Sequence, residues 1–326
     1  MIRARFCLMC LVSSLVPLVS ISHAQVGFDF GSNKDGRIGM IDFAGPAENF
    51  VSWSSSEEAR RAFKTVGCIY IRDACSAEMS SCFRKCPNLE RLWLGVSPDS
   101  ATFEPGSIAA LDGVSSLKDL QIYGTSQNPG EFAKVKNLGH LRILGIDGGV
   151  RIDRSDLTSI GSFRDLRQLE IRCERIDHWR WLTGLTLLDD LTLIAESVNL
   201  DPEFFEALPK LTELKRLAIR GVSFNEAETV RLGAILGDQL EFLHVQLRAD
   251  AIEGLSLFTN LSGLQISTDE SGESRFQFLS KTQKLATLRA KGWQITGPPH
   301  DFTEFPELKR VHVTDVKDKV KLHWER

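Results

Sequence analysis

Positive charge is not in excess in this chain of 326 residues: 39 Lys and Arg stand against 43 Asp and Glu, a net charge of −4. A polyanionic partner such as a nucleic acid is therefore not favoured. Beyond residue 24 no stretch approaches 18 consecutive apolar residues, which excludes a membrane-spanning helix there. Beyond residue 24 no C-x-x-C pair occurs, and His140, His178, His244, His300, His312 and His323 are scattered singly. No Gly-rich loop follows a strand as phosphate binding requires, so neither a catalytic constellation nor a cofactor site is expected, and the chain reads as a non-enzyme. Tyrosine is rare, with two copies. A composition of 42% hydrophobic and 25% charged residues excludes disorder and fibrous classes.

The first 24 residues read as an export signal. Arg3 and Arg5 precede an apolar run from Phe6 to Ile21, and Ser22-His23-Ala24 supplies the small residues that precede cleavage, here before Gln25. The run is broken by Pro17 and falls short of the roughly 20 residues that span a bilayer. Loss of Arg3 and Arg5 takes the net charge to −6. The expected location is secreted, periplasmic or cell-surface, without membrane insertion after cleavage.

Five cysteines remain: Cys68, Cys75, Cys82, Cys86 and Cys173. The first four crowd into 19 residues, and in an oxidising compartment they are disulfide candidates with three possible pairings. Spacings of seven, seven and four residues with no nearby His argue against a metal site. Cys173 is the odd one out and reads as a packed thiol.

A repeat governs the chain from residue 66 onward. Val66-x-x-Ile69-x-Ile71 is followed by Leu89-x-x-Leu92-x-Leu94, Leu117-x-x-Leu120-x-Ile122, Leu141-x-x-Leu144-x-Ile146, Leu166-x-x-Leu169-x-Ile171 and Leu188-x-x-Leu191-x-Leu193. Then come Leu214-x-x-Leu217-x-Ile219, Leu240-x-x-Leu243-x-Val245, Leu261-x-x-Leu264-x-Ile266, Leu285-x-x-Leu288-x-Ala290 and Leu308-x-x-Val311-x-Val313. The eleven units are 21 to 28 residues apart, too short for the helical repeats of 33–34 residues or for propeller blades. Positions four and six of each unit share one face of a short strand, and the first position enters the same interior from the bend before it. Stacking in parallel at about 4.8 Å closes a core that one strand cannot bury. Return segments carry inward rows, Ile176-Trp179-Leu182-Leu185, Phe205-Leu208-Leu211 and Ile252-Leu255-Phe258, so Trp179 reads as core.

Over residues 66 to 313 the chain resembles the leucine-rich repeat family. The resemblance implies an α/β leucine-rich repeat solenoid of about eleven units, with a parallel β-sheet on the concave face and helices or 3₁₀ turns on the convex face. The family's Asn or Cys at the ninth position is absent: those positions hold Ala74, Ser97, Thr125, Gly149, Glu174, Glu196, Val222, Arg248, Asp269, Trp293 and Val316. The turns must then be satisfied by other groups, which predicts irregular return segments.

The expected organisation is a signal peptide at 1–24, an N-terminal cap at 25–65, the solenoid at 66–316 and a C-terminal tail at 317–326. Ser54-Ser55-Ser56-Glu57 predicts a helix over 57–64. Asn33, Asp35, Gly36, Ile38 and Asp42 match a calcium loop, but Gly31 stands at its first ligand position, and a polar turn is the expectation. Asn260-Leu261-Ser262 is a glycosylation sequon if the host is eukaryotic.

Function is expected on the concave face, at unit positions three, five and seven. Tyr70 and Trp93 occupy position five of adjacent units and Tyr123 position seven of the next, so both tyrosines share one surface. Arg216, Arg220, His244, Arg289, Lys291, Arg310 and His312 make the C-terminal end of the face basic, and Asp119, Asp147, Glu170 and Asp190 make its middle acidic. The expectation is a monomeric module binding a protein partner through aromatic anchors and complementary charge. The alternatives are a cap packed over Tyr70 and Trp93, and a self-associating component of a cell envelope.

Overall fold

Positions four and six of every repeat point inward, and this alternation builds the sheet. Pairs such as Leu92 and Leu94, Leu120 and Ile122, or Leu217 and Ile219 are buried, whereas their odd-numbered neighbours face the other side. The computed structural model describes residues 27–32, 38–73, 75–95, 102–126, 128–275, 279, 282–296, 305–314 and 320–325. Eleven strands carry the eleven units: β3 (Cys68–Ile71), β4 (Arg91–Leu94), β5 (Asp119–Ser126), β6 (Ile143–Val150), β7 (Gln168–Ile176), β8 (Asp190–Val198), β9 (Arg216–Phe224), β10 (Phe242–Leu247), β11 (Gly263–Arg275), β12 (Thr287–Thr296) and β13 (Arg310–Thr314). Two more, β1 (Gly27–Ser32) and β2 (Ile38–Ala44), precede them, and residues 320–325, which carry no repeat, form β14 (Val320–Glu325).

All fourteen join one sheet in chain order. Strands β2 to β13 run parallel, while β1 and β14 pair antiparallel at the two ends. Short α-helices and 3₁₀ turns return behind the sheet, so the fold is an open α/β leucine-rich repeat solenoid. The inward rows of those segments are buried, Trp179 with them; its indole N–H donates to the Asn199 carbonyl at 2.7 Å. Among the described residues no helix is long and apolar enough to cross a membrane.

Backbone carbonyls and return-side carboxylates tie successive units together in this chain, which lacks a ninth-position ladder. The position-two carbonyl of each unit accepts two N–H groups from the next: Lys118 O from Arg142 and Ile143, Arg167 O from Asp189 and Asp190, Asp189 O from Lys215 and Arg216. On the return side, acids reach back one unit to hold its turns. Glu131 accepts from the N–H groups of Gly106 (2.6 Å) and Ile108 (2.8 Å), Asp156 from those of Gly130 (2.8 Å) and Ala133 (3.2 Å), and Glu203 from that of Trp179 (2.8 Å). Each carboxylate thus satisfies donors that would otherwise be orphaned in a turn. Within β6, Gly148 takes a φ of +95°, and a Cβ there would lie 2.2 Å from the Gly124 carbonyl oxygen, so only glycine fits that bend.

The N-terminal piece extends the sheet and closes its end. Helix α1 (Ala47–Ser54) starts after Pro46, and α2 (Glu57–Phe63) is capped by Ser56, whose hydroxyl accepts from the Ala59 N–H. Trp53 and Phe50 of α1 pack against Phe28 and Phe43, with ring centres 4.5 Å (Phe28–Trp53) and 5.4 Å (Phe43–Phe50) apart. Asn33, Asp35 and Gly36 lie outside the described residues. Asp42 is engaged by Arg72 through two nitrogens, at 2.8 and 2.5 Å.

Cys68, Cys75, Cys82 and Cys86 correct the disulfide expectation: all four are buried free thiols. Cys68 sits at position three on the open face of the sheet, whereas α3 (Ala77–Cys82) and the turn to Cys86 lie behind it, so the sheet stands between them. Cys75 and Cys82 each meet a serine hydroxyl instead, Ser80 and Ser54 respectively, both at 3.2 Å. Burial pushes the Cys75 and Cys86 thiols up to about 12, which suppresses the thiolate. Crowding in sequence carries no information about which face of a strand a cysteine occupies. Cys173 is likewise a buried free thiol.

Candidate functional site

Strict register aligns the open-face residues into rows that cross the whole sheet. The position-five row begins with Asp29, Asp42, Tyr70, Trp93, Gln121, Gly145 and Glu170. It continues through Thr192, Ala218, His244, Gln265, Arg289, His312 and His323. One end of this row is therefore acidic and aromatic, and the other basic.

Tyr70, Trp93 and Tyr123 meet as the alternation predicts. Tyr70 and Trp93 lie edge to face with centres 5.1 Å apart, and Trp93 and Tyr123 do so at 6.5 Å. All three rings are half-buried. Because Phe28 and Phe43 point to the opposite side of β1 and β2, the helix α1 that packs on them lies behind the sheet and does not cover this patch. Asp119 lies at the edge of the Trp93 ring: its carboxylate accepts from the Trp93 indole N–H (3.4 Å) and from the Gln121 amide (3.0 Å). Gln121 also lies 3.4 Å from the Tyr123 hydroxyl, and it rests where a Cβ on Gly145 would stand. Burial raises the Asp119 carboxyl above the ordinary range, against the pull of these two donors.

The middle of the face is a set of cross-strand ion pairs rather than a uniform acidic field. Asp147 pairs with Arg172 at 2.9 Å and Asp190 with Arg216 at 2.9 Å, while Arg216 also stacks 4.5 Å over the Phe242 ring. Glu170 stands between, raised by burial and by Asp147, with Arg172 opposing.

The basic end is likewise thinner than the residue types imply. Arg310 is paired with Glu325 at 2.9 Å, and His244 is buried and held neutral, pushed down to about 4 by burial and then by Arg220 and Arg289. Arg220 donates to the His244 ring at 3.3 Å. Arg289 and Lys291 are exposed on β12 and His312 is half-exposed on β13, 3.5 Å from His323 (Nδ1 to Nδ1). Sequence reasoning missed His323 and Glu325 because an antiparallel end strand carries no repeat to number; Gln121 was findable by counting to position five.

Where β6 and β7 stop pairing, after Ile146 and Ile171, the sheet opens a cleft of about 310 Å³ lined by Gly148–Arg151, Arg172–Glu174 and Ile194–Glu196. The Arg151–Glu174 pair, 3.7 Å apart, crosses it. Among the described residues no three His, Cys, Asp or Glu side chains are grouped to hold a metal ion.

No family model matches the chain, and no curated protein does. Solved structures are similar to it, and three of them follow. An LRR protein of Leptospira interrogans is 15% identical over 72% of this chain and 68% of its own, with a TM-score of 0.45. An internalin (inlF) from Listeria monocytogenes is 14% identical over 83% and 90%, at 0.45. TLR13, solved in a complex with ssRNA13, is 16% identical over 77% of this chain and 37% of its own, at 0.48. At such scores the assignment of the fold rests on this chain's own repeat and sheet.

Proposed function

We propose that this chain, a leucine-rich repeat protein by its fold, is a non-enzymatic binding module of an exported compartment that recognises a protein partner on the open, concave face of its sheet. The observation that carries the reading is the Tyr70–Trp93–Tyr123 patch, which is half-exposed although the cap could have buried it. Rigid aromatic side chains supply contact area at little entropic cost, which suits them to anchoring a partner. Paired Asp147, Arg172, Asp190 and Arg216 continue the surface, and exposed Arg220, Arg289 and Lys291 give its far end a positive field that sets orientation and association rate. The leader before Gln25 supports export. The chain's test is capture: mature protein is immobilised in its native compartment, cross-linked, and compared with Trp93→Ala. Capture lost in the variant supports the reading. Capture unchanged, or self-association alone, overturns it, the latter in favour of an envelope-assembly role.

A further inference from the structure

We infer that the aromatic end of this face is a seat for an alkylammonium cation, the side-chain ammonium of a lysine on the protein partner, with Tyr70, Trp93 and Tyr123 as walls and Asp119 as the counter-charge. The inference rests on the reading of this face as a protein-binding surface and names the chemistry that fills it.

Ring geometry selects the shape of the guest. Adjacent rings are inclined at 73° and 61°, so the patch is a corner rather than a flat platform. A planar guanidinium stacks on one face at a time, whereas a compact ammonium is attracted by several ring faces at once. Charge selects its sign. Along this sheet Asp42 already has Arg72, Asp147 has Arg172 and Asp190 has Arg216, each within 4 Å. Asp119 forms no such pair among the described residues. Its hydrogen-bond donors, the Trp93 indole and the Gln121 amide, are neutral, and Arg91, exposed and in register beside it on β4, attracts it without forming an ion pair. A half-buried carboxylate held by neutral donors at the edge of an aromatic ring is stabilised by an arriving cation, and burial, which raises the Asp119 carboxyl, is the cost such a cation would offset. The pinned position of Gln121, over Gly145, fixes the carboxylate toward the rings.

The mature full-length protein is titrated with three blocked tripeptides, Gly-Lys-Gly, Gly-norleucine-Gly and Gly-Arg-Gly, following tryptophan fluorescence against a Trp93→Phe control. The lysine peptide binds about tenfold more tightly than its neutral isostere, with arginine between. Asp119→Asn, which keeps its one carbonyl oxygen for the Trp93 indole while Gln121 turns its amide oxygen to the new NH2, removes that preference in a protein whose melting curve shows it still folded. Equal affinity for lysine and norleucine, no lysine-dependent signal up to millimolar peptide, or a preference that persists in Asp119→Asn overturns the inference. If lysine preference fails while Trp93→Ala still abolishes partner capture, the protein-binding reading stands without the cation seat; if Trp93→Ala leaves capture intact, both fall.

Discussion

Trp93 on β4 donates its indole N–H to the carboxylate of Asp119 on the next strand, 3.4 Å away, and so carries its ring upright between Tyr70 and Tyr123. A bond between neighbouring units thereby fixes an orientation that neither strand imposes alone.

Truncating that ring separates anchoring from packing. Trp93→Ala should weaken binding of the partner by about 2 kcal/mol or more while leaving the thermal midpoint nearly unchanged, because the ring is half-exposed and the inward faces of β4 are untouched. Isothermal titration together with a melting curve reads both quantities. A lower midpoint with unaltered affinity would assign the ring to the core.

Inward and outward substitutions in one unit should differ sharply. Leu169→Ala removes a buried side chain and should cost about 2–5 kcal/mol, whereas Gln168→Ala, one residue earlier and exposed, should stay within about 0.5 kcal/mol. Urea titrations of the two variants suffice; equal costs contradict the register.

Glu131 offers a test of the carboxylate clamps. Glu131→Ala strands the buried N–H of Ile108 and the N–H of Gly106, and the expected loss is about 1–3 kcal/mol. Amide exchange should quicken first at 106–111 of the preceding unit, not in the strand that follows, since the clamp reaches backward.

Acid should weaken the fold through His244. Its folded value lies near 4, below the roughly 6.5 of an unfolded histidine, so between those values the unfolded chain binds the extra proton and stability falls as pH drops. Asp119, Glu170 and Asp190, raised by burial, act in the opposite sense, gaining protons first in the folded state. The informative quantity is the difference between wild type and His244→Gln, which should be flat from pH 8 to 7 and should shift steadily toward the variant from about 6.5 to about 4. A constant difference would show that the imidazole is not desolvated.

The cysteines give the simplest check. Cys68, Cys75, Cys82, Cys86 and Cys173 should all react with a thiol reagent in denaturant without prior reduction, and Cys68 should be shielded before unfolding. Mass shifts that appear only after reductant would restore a disulfide.

The strands of the repeat were legible because period-two alternation repeats in every unit and sets both face and register; β3 to β13 begin at or within one residue of the position the motif assigns. The predicted helix over 57–64 appears as α2, since Ser56 supplies a local cap. By contrast α1 starts after a proline with no side-chain cap, and β1, β2 and β14 are held by pairing with the sheet, so nothing local announces them. The aromatic corner followed from counting positions. The Asp190–Arg216 pair was open to the same counting, both residues being position three of adjacent units, but the neutralisation of Arg310 was not, because Glu325 lies on an end strand that carries no repeat.

The two reversed strands at the ends have a consequence for how such an array changes length. A duplicated unit inserted between β2 and β13 finds parallel neighbours on both sides and can adopt their hydrogen-bond spacing. The same unit placed outside β1 or β14 would face a strand running the other way, with alternating rather than even spacing of its donors and acceptors. The interior of the array is thereby the place that accepts an added repeat without a change of strand direction, and the aromatic corner on β3 to β5 keeps its distance from the N-terminal hairpin however many units are added after β5.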